Sequence, residues 1–292
     1  LDLSTVFTTW QAAMAGGERI FEILDIEPEI QNAPGAVDLT DIEGHVEFDD
    51  VSFRYVENSP VLHHVSVEIE AGDTVALVGP TGAGKTTIAS LLMRFYDVDE
   101  GAIRIDGKDI RHVTVESLRQ QLGVVPQEPF LFQGTIAYNI AFGRPDATRE
   151  EIVAAAKAAN AHDFISALPA GYDTEIQEES TNLSLGQRQL VCLARVILSQ
   201  PKILVLDEAT SSVDLRTEGL IQEAMETLMA GRTSLVIAHR LATVQRASKI
   251  LVIDGGRIVE EGTHEELLEL DGLYAHLYET QFLAPVLEQI EG

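Results

Sequence analysis

The stretch Gly79-Pro80-Thr81-Gly82-Ala83-Gly84-Lys85-Thr86-Thr87 satisfies the pattern G-x-x-x-x-G-K-[ST]. Such a segment suits phosphate. Glycines let the backbone close around an anion, so that its N–H groups and the N-terminus of a following helix face the negative charge. Lys85 then sets a cation against the terminal phosphates, and the Thr86 hydroxyl is a ligand for Mg²⁺. A second pair offers complementary chemistry. Asp207 and Glu208 directly follow the apolar run Ile203-Leu204-Val205-Leu206. A carboxylate at the carboxyl end of a core strand can hold Mg²⁺, through water because that ion keeps much of its hydration shell. Asp207 takes that part, and Glu208 is the candidate general base for an attacking water. Acids are also common after strands as caps of the next turn, so this pair gains its meaning from the phosphate loop. Together these residues predict a chain that binds a nucleoside triphosphate.

The elements that must hold them are legible. Thr74-Val75-Ala76-Leu77-Val78 reads as a buried strand and Thr87–Met93 as a helix, which is the strand–loop–helix setting the pattern requires. The runs Ile203–Leu206, Thr233–Ile237 and Ile250–Ile253 are continuously apolar, as strands covered on both faces of a parallel sheet are. Helices are predicted at Arg149–Ala159, Leu185–Leu198, Glu218–Met229 and Glu265–Leu270. A main domain starts near His45, where Val46–Val51 and Val65–Ile69 alternate like half-buried strands. Asp106-Gly107 and Asp254-Gly255-Gly256 are hairpin-turn signals. Upstream, Trp10, Met14, Gly17, Phe21 and Leu24 recur at spacings of four and three, one face of an amphipathic helix within Val6–Leu24. Pro28, Gly35 and Gly44 punctuate a polar linker between them.

Composition excludes several classes. The 292 residues suffice for one large domain or two small ones, and 45% are apolar, ordinary for a globular chain. No apolar run approaches eighteen residues and no signal peptide is visible. Cys192 is the single cysteine. It sits in an apolar helical stretch, where a small core residue is the default, and it fits a reducing compartment. Acidic residues number 47 against 20 basic ones, a net charge of −27. That field repels nucleic acid, so no nucleic-acid partner is expected. The surplus is spread along the chain and reads as a solvated surface, with salt adaptation an open possibility.

Further segments carry a resemblance to a known family. Asn182-Leu183-Ser184-Leu185-Gly186-Gln187-Arg188-Gln189 resembles the signature motif of ATP-binding cassette (ABC) proteins, usually written LSGGQ. Val124-Val125-Pro126-Gln127-Glu128 is similar to the family's Q-loop, Ser211-Ser212-Val213-Asp214 to its D-loop, His239 to its switch histidine, and Tyr55 to the aromatic that stacks on adenine. The resemblance covers residues 45 to 280, with the motifs in the family's order. By residue type alone, Tyr55 also fits a strand aromatic in the core, His239 a structural histidine, Gln127 turn chemistry and Ser184 an ordinary N-cap.

The resemblance implies an α/β fold, the P-loop NTPase fold of ABC ATPases. It has a RecA-like mixed or parallel sheet core, an antiparallel β subdomain and an α-helical signature subdomain at about 128–200. The domain would span 45–284, after a junction helix at 1–28 and a linker at 29–44, with a tail at 285–292. ATP and Mg²⁺ are the implied cofactors. Gly79–Thr87 cradles phosphate, and Thr86, Gln127 and Asp207 serve the metal. Gln127 and His239 sense the γ-phosphate and assist Glu208 and Lys85 in hydrolysis. Ser184, Gly186 and Gln187 form a second cradle, serving ATP held by an identical or homologous partner domain in a head-to-tail dimer.

Two departures accompany these matches. Leu185 replaces the first glycine of the signature. Gln177 and Glu179 replace a glycine and a basic residue in Thr174–Thr181, a segment that in exporters touches the partner's membrane domain. Glu18-Arg19-Ile20-Phe21-Glu22-Ile23-Leu24-Asp25 resembles the junction between an exporter's last transmembrane helix and its ATPase domain. With Leu1 in place of an initiating Met, it suggests a piece of a longer polypeptide. The expectation is therefore the ATPase of an ABC exporter, joined to a transmembrane domain at the cytoplasmic face of the membrane. The alternative is a non-hydrolysing or regulatory ATP-binding partner in a heterodimeric exporter.

Overall fold

The computed structural model describes residues 2–176, 182–208, 213–238 and 240–283. The chain divides into two compact units, the first ending at Gln31 and the second starting at Asn32. The first is a single helix, α1 (Leu3–Leu24), capped at its start by the Asp2 side chain, and none of its side chains is buried. The expected apolar residues Trp10, Met14 and Phe21 are therefore exposed.

Among the described residues, twelve strands and ten further α-helices build the second unit. The strands are β1 (Val46–Val56), β2 (Ser59–Ile69), β3 (Thr74–Val78), β4 (Glu100–Ile105), β5 (Lys108–Asp109), β6 (Leu122–Val125), β7 (Gly134–Thr135), β8 (Glu175–Ile176), β9 (Ile203–Asp207), β10 (Thr233–Ile237), β11 (Lys249–Asp254) and β12 (Arg257–Gly262). The helices are α2 (Lys85–Leu92), α3 (Val115–Gln121), α4 (Ile136–Ala141), α5 (Arg149–Ala158), α6 (His162–Ala167), α7 (Leu185–Ser199), α8 (Leu215–Met229), α9 (Leu241–Arg246), α10 (His264–Glu269) and α11 (Leu273–Leu277).

The sheets follow the apolar patterns. A six-stranded sheet has the order β12-β11-β3-β10-β9-β6. It is parallel except for the β11–β12 hairpin at its edge. Its strands feed different cores from alternate residues, as the two-residue period requires. Val75, Leu77, Leu235, Ile237 and Val205 enter a core shared with the antiparallel sheet β2-β1-β4-β5. On the other face, Leu204, Leu206 and Val236 join the helical core around α4, α5, α7 and α8. Ala76, Val78, Ile250 and Val252 join the core under α9, α10 and α11. This burial on both faces explains the unbroken apolar runs.

Residues 32–44, expected as linker, carry no regular element but dock firmly. Leu39 and Ile42 are core residues. The Leu39 N–H donates to Ser117 Oγ (2.8 Å), and the N–H groups of Glu43, Gly44 and His45 converge on the Asp106 carboxylate. Apolar Leu39 and Ile42 are too few to show a period, so sequence pattern passes them over. Cys192 is buried in the helical core as expected, and burial pushes its thiol pKa up.

Candidate functional site

Four adjacent parallel strands, β3, β10, β9 and β6, end on one edge of the sheet. Leu77 lies beside Ile237, Ile237 beside Asp207, and Val125 beside Leu206. The segments that leave these ends carry Gly79, Asp207-Glu208 and Gln127, so topology alone gathers the phosphate loop, the acids and the glutamine. The carboxyl edge of such a sheet is where open α/β folds bind ligands. His239, two residues after β10 in sequence, lies outside the described residues. So do Ser211, Ser212, Gln177 and Glu179.

The phosphate loop is shaped by close packing. Gly79 has φ +154°, and a Cβ there would run into the Ile253 carbonyl oxygen of β11, so the position admits no side chain. Pro80, Thr81, Gly82 and Ala83 make the turn, and Gly84 caps α2 without a side-chain bond, leaving the first N–H groups of that helix for an anion. Lys85 is 9% exposed. It donates to the carbonyls of Gly79 (2.7 Å) and Pro80 (2.9 Å). An ammonium has three donors, so one remains to be given to phosphate. Burial lowers the Lys85 pKa, and the nearby charge of Asp207 partly offsets that.

Thr86, exposed in the first turn of α2, and Asp207, half-buried at the end of β9, present oxygen ligands, as does the exposed Gln127 amide. Glu208 is 4% exposed. Its backbone N–H donates to Ile237 O (3.2 Å), and its carboxylate accepts the Arg240 N–H (3.1 Å) at Oε2 and the Thr243 hydroxyl at Oε1. Sequence reading gave no role to Arg240, which adjoins the switch histidine, or to Thr243, because contacts with a residue so far away in sequence leave no local signal.

Tyr55 is 46% exposed, which removes the core-aromatic reading. Its hydroxyl donates to Thr87 Oγ1 (3.2 Å), tying it to α2. Its ring meets Phe53 and Tyr96 edge-on at 4.8 and 5.0 Å, a rigid aromatic corner beside the phosphate loop that offers a face to a flat ring.

Ser184, Gly186 and Gln187 lie elsewhere. Ser184 and Gln187 form a capping box on α7: the Gln187 N–H donates to Ser184 Oγ (3.2 Å) and the Ser184 N–H to Gln187 Oε1 (3.0 Å). The Ser184 O–H remains a donor for a ligand. A Cβ at Gly186 would strike the Thr217 methyl of α8, so this glycine is set by helix packing. Gln187 shares a cleft with Asp214 and Thr217, whereas the phosphate loop packs against Ile253, Leu62 and Gly256.

An aromatic patch also escaped the sequence. Phe130, Tyr138 and Phe142 are exposed, beginning three residues after Gln127. Phe132 stacks on Phe142 at 4.2 Å, and Arg195 lies over both rings at 5.5 and 5.8 Å. Phe130 and Phe132 sit in an irregular segment, and Tyr138 and Phe142 in and at the end of the short helix α4, so no readable period marks them.

A phosphate loop after one parallel strand, an acidic pair after another and a glutamine after a third define a P-loop ATPase. The comparisons are more specific. The ABC transporter family pattern matches residues 62–211. An uncharacterized ABC transporter ATP-binding protein of Bacillus subtilis, YfiC, is 50% identical over 281 residues, covering 96% of this chain and 46% of that protein. The ATP-dependent lipid A-core flippase of Desulfotalea psychrophila is 50% identical over 279 residues, 96% of this chain and 49% of its own. The solved structure of a bacterial Atm1-family ABC exporter with ATP bound superposes with a TM-score of 0.86. It is 47% identical and is matched over 96% of this chain and 49% of that one. The chain belongs to the ABC transporter family, in the part of it that carries the ATP-binding motifs. It spans about half the length of the relatives it matches, and no helix among the described residues is long and apolar enough to cross a membrane.

Proposed function

We propose that this chain energises export of a substrate across a membrane, working as one of two ATPase domains that close head to tail around two ATP molecules. The observation that carries the reading is the separation of two phosphate cradles. Gly79–Thr87 sits on the sheet edge with Asp207, Glu208 and Gln127, while Ser184, Gly186 and Gln187 sit on α7 against α8. A second cradle built on different neighbours from the phosphate loop suits the ATP of a partner. The likeness to ABC exporters supports the same arrangement.

Within a site, Tyr55 takes the adenine face, and Lys85 with the loop N–H groups takes the phosphates. Thr86, Asp207 and Gln127 form a donor set of hydroxyl, carboxylate and amide oxygens, the hard ligands Mg²⁺ prefers. They would hold that ion, which supplies neutralisation of charge on the transferring phosphoryl group. Glu208 accepts the proton of the attacking water, and His239 hydrogen-bonds the γ-phosphate. The exposed Phe130, Tyr138 and Phe142 beside Gln127 give an apolar surface for a membrane domain at the cytoplasmic side of the membrane.

Glu208→Gln tests the hydrolytic assignment. The variant should bind ATP, accumulate as a persistent dimer and lose turnover by about a hundredfold or more. Phosphate release at the wild-type rate would refute Glu208 as base.

A further inference from the structure

We propose that Thr243 is a positioning residue for hydrolysis, orienting the Glu208 carboxylate through its hydroxyl; this rests on the reading of Glu208 as base. Four helix threonines show a common use of the hydroxyl. Thr8, Thr9, Thr227 and Thr280 each donate to a backbone carbonyl four residues back, the usual local bond of Thr in a helix. Thr243, in the first turn of α9, donates to Glu208 Oε1, a residue far away in sequence.

The contact is sheltered. Glu208 and Thr243 are each 4% exposed, and a hydrogen bond to an ionised oxygen out of water is stronger than a neutral one. The second donor is the backbone N–H of Arg240, on Oε2. These two donors sit on different oxygens, which holds the plane of the carboxylate. The Glu208 N–H bond to Ile237 O fixes the backbone from β10. Both of these donors come from residues 240–243 at the start of α9, so the base is braced to the start of that helix. The Arg240 guanidinium reaches Glu218 Oε1 on α8 at 3.5 Å, which extends the brace to the helix that packs on Gly186.

A hydroxyl is what this site requires. Thr243→Val keeps the shape and sets a methyl group against the carboxylate. Thr243→Ser keeps the donor and loses only the methyl. The test measures ATP turnover by the full chain for Thr243→Val, Thr243→Ser and Glu208→Gln, with ATP-dependent dimerisation and thermal midpoint recorded for each. If Thr243 positions the base, Thr243→Val lowers kcat about ten- to a hundredfold while KM for ATP stays within about twofold, and Thr243→Ser recovers most of the loss. Thr243→Ala, which has no bulk to misfit, must follow Thr243→Val and serves if the latter does not fold.

A merely structural role would give equal losses in the Val and Ser variants, tracking the thermal midpoint, and would overturn the proposal. So would a normal kcat in Thr243→Val beside an inactive Glu208→Gln, which leaves Glu208 as base intact. Wild-type turnover in Glu208→Gln would remove that reading, and the role of Thr243 with it.

Discussion

Helices α2 and α7 each begin at the end of a loop whose N–H groups suit an anion, yet the two starts are made differently. At α2 the cap is a glycine with no side-chain bond, a buried lysine folds back onto the loop, and a core strand fixes the approach. At α7 the cap is a serine in a reciprocal box with Gln187, and the neighbouring glycine is dictated by Thr217. The first start stands with Asp207, Glu208 and Gln127 on a sheet edge. The second stands with Asp214 and Thr217 in the helical region. Chemistry is therefore concentrated at one cradle, and the other supplies only donors. That asymmetry suits two halves of an active site that meet between chains.

Substitutions at the two glycines should break the comparison most sharply. At Gly79 the obstruction is the backbone carbonyl of Ile253, and φ is +154°, so Gly79→Ala must distort either the loop or β11. Nucleotide binding should be lost, together with about 1–3 kcal/mol of stability. At Gly186 the obstruction is made of side chains, the Thr217 methyl with Val213 Cγ1 beside it, so a Cβ there pushes the α7 start from α8 and leaves the phosphate loop in place. Gly186→Ala should bind ATP as wild type does and lose turnover about tenfold by displacing the α7 start. Calorimetric ATP titration with a thermal melt of each variant checks this. Loss of nucleotide binding in Gly186→Ala would show that the cradles are not separable.

A smaller effect follows from Lys85. Burial keeps its pKa below the ordinary lysine value, with Asp207 opposing in part. The unfolded chain then holds this proton more tightly than the folded one, so stability without nucleotide should rise slightly as pH climbs through the window between the two pKa values. ATP favours the charged form. Its affinity should therefore weaken with rising pH at a lower pH than an ordinary lysine near about 10.4 would allow. Affinity measured against pH, with Lys85→Arg as a permanently charged control, should show that decline in the wild type and a flat response in the variant.

The fold was largely readable because burial on both faces of one sheet leaves long apolar runs, and because loop, signature and acids carry fixed spacings. The α2 boundary moved by two residues, since Lys85 and Thr86 already belong to the first turn. What escaped reading depends on contacts between distant segments. Thr243 and Arg240 matter only because Glu208 folds against them, and Leu39 only because Ser117 and the first core receive it. Phe130 and Phe142 are likewise ordinary residues until Arg195 gathers them. Local pattern registers elements and motifs, whereas such bonds between segments leave no periodic trace.

Mixing two disabled chains tests the central claim most directly. Lys85→Ala spoils the first cradle and Ser184→Ala the second, so each variant alone should show almost no turnover at concentrations where the wild type dimerises. If active sites are shared head to tail, a mixed dimer contains one site with both halves intact, and combining the two variants should restore turnover well above the sum of the separate rates. If each chain builds its site alone, the mixture will be as inactive as its parts, and the head-to-tail sharing of cradles would be contradicted.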